Sequence, residues 1–322
     1  MAWPRSAYWC GIRLSKMDGM AERNELGDFL RASRAAVSPE KLGLEQYASR
    51  PGRRVQGLRR EEVAELAGVS VDYYTRLEQG RHNRPSEAVI DALSRALRLD
   101  AVTHAHLVDL ARPVRRRPEQ PQVQRVRPAI HQLIASMVDH PAFIVGRRTD
   151  ILAANDLARA LITDWRALPP RERNYARWMF LDPAARAIYQ DWSTVAAEVV
   201  GTLRLDAGRH PGDQRLNELV GELTIKSPEF RTWWNDHRVH ERTHGSKRMT
   251  HPAVGPITIH YQAMALPGDK DQTLFVYTTD PGSSSADNMR LLAMWTAQNK
   301  RETTANPKDT TSTTNAGAQT PA

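Results

Sequence analysis

Cysteine is nearly absent, with Cys10 alone in 322 residues. A lone thiol excludes an internal disulfide framework and any zinc finger built on cysteines. Aromatic residues are also few, at 7%. No uninterrupted apolar run approaches the roughly 20 residues that span a bilayer. The opening stretch, MAWPRSAYWCGIRLSKMDGM, lacks the continuous apolar core of a signal peptide. No Gly-rich phosphate loop is present, and Ser283-Ser284-Ser285 lacks the setting of a nucleophile elbow. Nowhere do a nucleophile, a base and an orienting group come together. These absences predict a cytoplasmic protein that is not an enzyme.

Lysine is scarce as well, at seven of 45 basic residues. Arginine supplies the rest, and its fork suits phosphates and guanine edges better than a point charge does. A GC-rich coding sequence accounts for the same bias equally well. The net charge of +8 suggests an acidic partner, but it is spread thinly. Residues 21–118 carry +4 and residues 143–300 carry +2. Any DNA contact must therefore come from a local cluster.

At roughly 150 residues per domain the length suggests two domains. Residues 1–20 show no period and read as an unstructured leader or a mis-assigned start, with Met17 or Met20 as the expected first residue. Residues 21–112 read as five helices. Leu26, Phe29 and Leu30 give one apolar face over about 22–35. A second helix runs from Arg59 to Ala67, a third follows Ser70, a fourth reaches Leu97 and a fifth spans Thr103 to Arg112. Residues 113–128 are rich in Pro and Arg and read as a linker. Residues 129–300 form the second domain, and 301–322 read as a disordered tail.

Residues 60–79, REEVAELAGVSVDYYTRLEQ, carry the strongest signal. Two short helices that cross closely need a small residue at the contact, which Ala64 supplies. Their turn needs a residue at ease with positive φ, which Gly68 supplies. Val63, Ala67, Val69, Tyr74 and Leu77 then share a core. This is the spacing of a helix-turn-helix, whose second helix enters the major groove. Ser70, Val71, Asp72, Tyr73, Thr75 and Arg76 are the candidate DNA-reading residues. Arg76 suits guanine O6 and N7, Val71 a thymine methyl, and Asp72 a cytosine amino group or its own helix N-terminus. Arg59, Arg60, Arg81 and Arg84 are placed for phosphates.

The five-helix layout, with LEQGR after the reading helix, resembles the XRE family of phage-repressor-type regulators. In that family the Glu commonly pairs with an Arg of the first helix, which implies an Arg34–Glu78 pair. Longer stretches, including RRVQGLRREEVAELAGVSVDYYTRLEQGR, HPAFIVGRRTDILAANDLARAL, FLDPAARAIYQDW and HPAVGPITIHYQAM, resemble the MmyB-like branch. The resemblance covers about residues 24–298. It implies a mainly α chain with a smaller α+β part: a five-helix XRE-type helix-turn-helix domain followed by a PAS-like α/β ligand-binding domain. Two departures stand out. Ala154 precedes Asn155 where the family usually has Trp, and the segment around Leu42 is short of glycine.

The second domain reads as mixed. Phe143–Val145 is a strand, Ile151–Ile162 a helix, and Asp182–Leu203 one long helix despite Gly201. Leu216–Leu223 and the segment after Ser227-Pro228 are helical. Residues 255–264 and 273–278 are strands joined by a turn at Pro267-Gly268-Asp269, and Leu291, Leu292 and Trp295 form a last short helix. Candidate ligand contacts are Phe143, Val145, Trp178, Phe180, Tyr189, Trp192, Phe230, Trp233 and Trp234, with Arg231 or His237 for an acidic head. Any one of these aromatics is more often core than ligand contact. His240 and His244 stand at i, i+4, but HExxH is absent and no metal is expected.

The sequence thus predicts a regulator that binds double-stranded DNA, as a homodimer on an inverted repeat, and senses a small apolar or fatty-acid-like ligand without a cofactor. The alternative is a protein-binding, antitoxin-like adaptor that uses the same helices.

Overall fold

A computed structural model describes residues 24–39, 57–81, 84–112, 123–237, 239–240, 242–269 and 271–305. The expectations for residues 1–20, Leu42 and residues 113–122 lie outside them. The chain divides into two compact units between Leu93 and Ser94.

In the first unit, helix α1 (Glu25–Ala36) is capped by Asn24, whose side chain accepts from Gly27 N. Its apolar spacing buries Leu26, Phe29 and Leu30. Helix α2 (Arg60–Ala67) ends at Gly68, which takes φ 66°. Nothing crowds a Cβ there, so the glycine serves the left-handed turn alone. Helix α3 (Val71–Glu78) starts where Ser70 Oγ accepts from Tyr73 N at 3.1 Å. Val63, Ala64, Tyr74 and Leu77 are buried. Helix α4 (Glu87–Ala96) crosses the division between the units and buries Ile90 and Leu93.

The second unit holds the fifth expected helix, α5 (Ala101–Ala111), and then α6 (Pro128–Ser136). Residues 124–127, expected to belong to the linker, are tied to the domain: Gln272 donates to Arg125 O, and Arg127 pairs with Asp269 at 2.6 Å. A five-stranded antiparallel sheet follows, in the order β2-β1-β5-β4-β3. Its strands are β1 (Ala142–Val145), β2 (Ile151–Ala154), β3 (His244–His251), β4 (Gly255–Ala265) and β5 (Thr273–Thr278). The β4–β5 turn falls where Pro267-Gly268-Asp269 places it. Helices α7 (Asp156–Leu161), α8 (Tyr175–Leu181), α9 (Pro183–Ile188), α10 (Trp192–Arg209), α11 (Gln214–Lys226), α12 (Pro228–Asn235) and α13 (Ser284–Ala305) complete it. No helix among the described residues is long and apolar enough to cross a membrane.

Four expectations are corrected. Ile151–Ile162 is not one helix: 151–154 pair with β1, and buried Asn155 then caps α7 by accepting from Ala158 N at 2.8 Å. Asp182–Leu203 is not continuous. After α9 the chain bridges to β3 through Tyr189 and Met249, and Gln190 N donates to Arg248 O, so the helix restarts at Trp192. Strand β3, His244–His251, is missing from the strands expected above. The final helix is long, 22 residues, and takes residues 301–305 from the expected tail.

Candidate functional site

The helix-turn-helix presents its charged side outward. Ser70, Val71, Asp72, Arg76, Arg81 and Arg84 are exposed, and Tyr73 and Thr75 half-buried. Asp72 and Arg76 pair with each other at i, i+4. Both are well exposed, so the pair contributes little and opens readily to another partner. Ser70 and Asp72 also serve the N-terminus of α3, where a hydroxyl cap and a carboxylate are both favourable.

Behind this face lies a buried ion network. Glu78 is fully buried, and its two oxygens accept from Arg34 Nε at 2.7 Å and Arg60 Nε at 2.6 Å. Burial alone would raise the Glu78 carboxyl, but hydrogen bonds from Arg34 and Arg60 hold it below the usual carboxylate range. Arg34 also donates to Leu58 O, and Arg31 and Asn24 donate to Glu78 O. Helix α1 comes so close that a Cβ on Gly27 would sit 2.2 Å from Glu78 O. Arg60 is therefore a structural partner as well as a surface cation. The paired position at Arg34 is legible in the sequence, whereas the second arginine is not. Arg59 is partly buried, and its backbone N–H donates to buried Glu62 at 2.7 Å.

In the second unit the aromatic candidates fall into one core beneath the sheet. Phe143 stacks on Phe275 with ring centres 5.3 Å apart and meets Tyr277 edge-on. Trp178 packs edge-on against Tyr189, whose hydroxyl bonds that of Tyr175 at 2.8 Å. Phe180, Trp192, Phe230, Trp233 and Trp234 form an adjoining group, with Phe180 edge-on to both Phe230 and Trp192. Val145 packs against the same core. Arg231 does not join them: α12 turns Phe230 and Trp234 inward and leaves Arg231 exposed. His237 is half-buried, and its Nδ1 lies 3.0 Å from Arg204 of α10, which also donates to Trp234 O and lies over the Trp234 ring. Neither residue thus stands at the tyrosine-lined part of the core.

Two other cations do. Arg242 and Lys247 are 8% and 3% exposed. The Arg242 guanidinium lies 5.2–5.6 Å from the ring centres of Phe275, Tyr175 and Tyr261. Lys247 Nζ lies 4.8 Å from Tyr261 and 5.6 Å from Tyr189. The chain is shaped to deliver them. Gly201 lets the segment at His240 cross α10, since a Cβ would sit 2.6 Å from His240 N. Two residues later Arg242 enters beside Glu198, one turn back along α10, at 4.0 Å. Lys247 sits at an inward position of β3, in alternation with Met249 and His251. That alternation is the signal that a sequence reading passes over, because lysine is presumed exposed.

Among the described residues no group of His, Cys, Asp and Glu could hold a metal ion. His240 lies in the crossing segment and His244 opens β3.

The family model for a helix-turn-helix domain matches residues 25–107. It spans the ion network, the exposed side of α3 and most of α5. The model for the MmyB-like transcription regulator ligand binding domain matches residues 126–292. It spans the sheet, the aromatic core and both buried cations. No curated protein matches the chain. With more than half its length in the second match, the chain belongs to the MmyB-like family of transcription regulators, with a helix-turn-helix domain ahead of its ligand-binding domain.

Proposed function

We propose that this regulator reads an inverted repeat as a homodimer and alters its DNA affinity when a small apolar or fatty-acid-like molecule occupies the second domain. The observation that carries the DNA reading is the outward row of Val71, Asp72, Thr75 and Arg76 on a helix whose inner side is fixed by Glu78. A single reading helix contacts few base pairs, so two half-sites about one turn apart give the needed specificity. Arg81 and Arg84, exposed just beyond the helix, supply phosphate contacts that set register without reading sequence.

The ligand reading draws its support from the apolar, aromatic core with few polar groups, the usual makeup of a small-molecule site. A ligand alters DNA affinity only by binding two arrangements of the protein unequally. Selection of bound sequences from a random duplex pool, with and without lipids extracted from cells, tests both parts. An enriched inverted repeat whose recovery changes with the extract is expected. Absence of any preferred sequence favours the adaptor reading instead.

A further inference from the structure

Burying a cation without a matched acceptor is costly, and proteins seldom retain one without use for it. The core under the sheet retains two. Lys247 Nζ and, on Arg242, Nε and one terminal nitrogen are buried and make no hydrogen bond. Among the described residues Glu198 is the carboxylate that stands against this pair. It stands 4.0 Å from Arg242 Nε, and its own Oε2 is also without a hydrogen-bond partner. The rings of Tyr175, Tyr189 and Tyr261 and of Phe275 attract the cations through their faces, but a ring face does not satisfy an N–H as an oxygen anion does.

We propose that Arg242 and Lys247 form the anion-binding subsite of the ligand-binding domain and hold the carboxylate of an apolar monocarboxylic acid. The assignment rests on the ligand-sensing reading above and supplies the acid-binding group that neither exposed Arg231 nor Arg204-bound His237 provides. Burial drives the Lys247 ammonium toward its neutral form, with the Arg242 charge adding to that, so an entering carboxylate brings back its proton. The two cations against Glu198 then balance a monoanion, a count that a doubly charged phosphate exceeds. The aromatic walls suit an alkyl or aryl body on that head. Both cations face the ring of Tyr261, and this ring lies over Gly245, where a Cβ would sit 2.9 Å from it. The ring that the two charges share is thus held in place by a glycine of the same strand as Lys247.

The test uses the full chain and two acid–alcohol pairs as probes: decanoate with 1-decanol, and 4-phenylbutyrate with 4-phenylbutanol. Affinities are measured by calorimetry for the wild type and for Lys247→Met, which keeps the length of the side chain and removes the buried amine. At least one carboxylate is expected to bind the wild type about tenfold or more tightly than its alcohol, and Lys247→Met to lose that preference while binding the alcohol as before. The wild-type comparison stands by itself should the variant fail to fold. An alcohol that binds as tightly as its acid, or a carboxylate that binds Lys247→Met unchanged, overturns the anion subsite and leaves ligand sensing standing. Silence of both acids overturns the subsite, and silence of the alcohols too removes the ligand reading with it.

Discussion

At the scale of single residues, charge placement decides most of what is specific to this chain. Glu78 binds two arginines from inside the helix-turn-helix, and removing it strands both. Breaking one side of a buried pair costs more than the pair contributes. Glu78→Ala is expected to destabilise the first unit by about 3 kcal/mol, at the lower end of the range because Arg60 is half-exposed. Denaturant unfolding of the variant checks this. A second charge behaves oppositely with pH. His210 Nδ1 bonds Asp206 and its Nε2 bonds Asp271, and these carboxylates raise the imidazole to about 9. A raised value means that the folded state holds the proton more tightly. The stabilisation is therefore complete below pH about 6.5 and lost as pH rises through about 9. His210→Gln is expected to lower the unfolding midpoint on the acidic side of that window and to match the wild type above it. The legibility of such residues was uneven. The Arg34–Glu78 pair follows from the family resemblance, and the aromatic core from tryptophan placement. Arg60 as a second partner, and Lys247 and Arg242 as buried cations, depend on contacts between segments far apart in sequence, which no local pattern encodes.

At the scale of elements, α10 organises the second domain through its glycines. The helix survives Gly201 because the loss of propensity, about 1 kcal/mol against Ala, is offset by the close crossing of the segment at His240. Gly201→Ala places a methyl against backbone that has little room to give. It is expected to cost about 1–3 kcal/mol, despite improving helix propensity. It should also displace Arg242. A fall in thermal midpoint supports this reading, and a rise contradicts it. Gly208 plays the same part for α5, since a Cβ there would meet the His106 ring at 2.7 Å. Elements were legible where they carry a strong period or a cap, as in α2, α3, α12 and the β4–β5 hairpin. Local pattern misleads where tertiary pairing overrides it. Residues 151–154 have good helix formers, Leu and Ala, yet β1 claims them as an edge strand. The break at 189–191 answers to β3, some sixty residues away.

At the scale of the whole molecule, α5 is the notable element. The helix-turn-helix match runs to residue 107, yet α5 packs on α10 within the second compact unit. His106 of α5 is buried there, and burial followed by the nearby Arg204 charge lowers its imidazole to about 3. A depressed histidine contributes stability that is present above pH about 6.5 and fades as pH falls toward about 3. Helix α10 also carries Glu198 beside Arg242, so one helix touches both the core and α5. Ligand effects on DNA affinity are reciprocal: whatever a ligand does to operator binding, operator does equally to ligand binding. Ligand titrations with and without operator duplex are expected to show that equality. The net charge, by contrast, says little, because the proposed DNA contacts rest on a few placed arginines and not on the total of +8.

The central claim is that α3 reads base sequence, and the most direct measurement compares operator preference in Arg76→Ala and Arg84→Ala. Competition between the selected operator and a scrambled duplex, at fixed salt, gives the preference for each variant. Arg76→Ala is expected to lose about 1–3 kcal/mol of it, whereas Arg84→Ala weakens both duplexes alike and flattens the salt dependence. An Arg76→Ala protein that keeps the full wild-type preference contradicts the assignment of α3 as the reading helix.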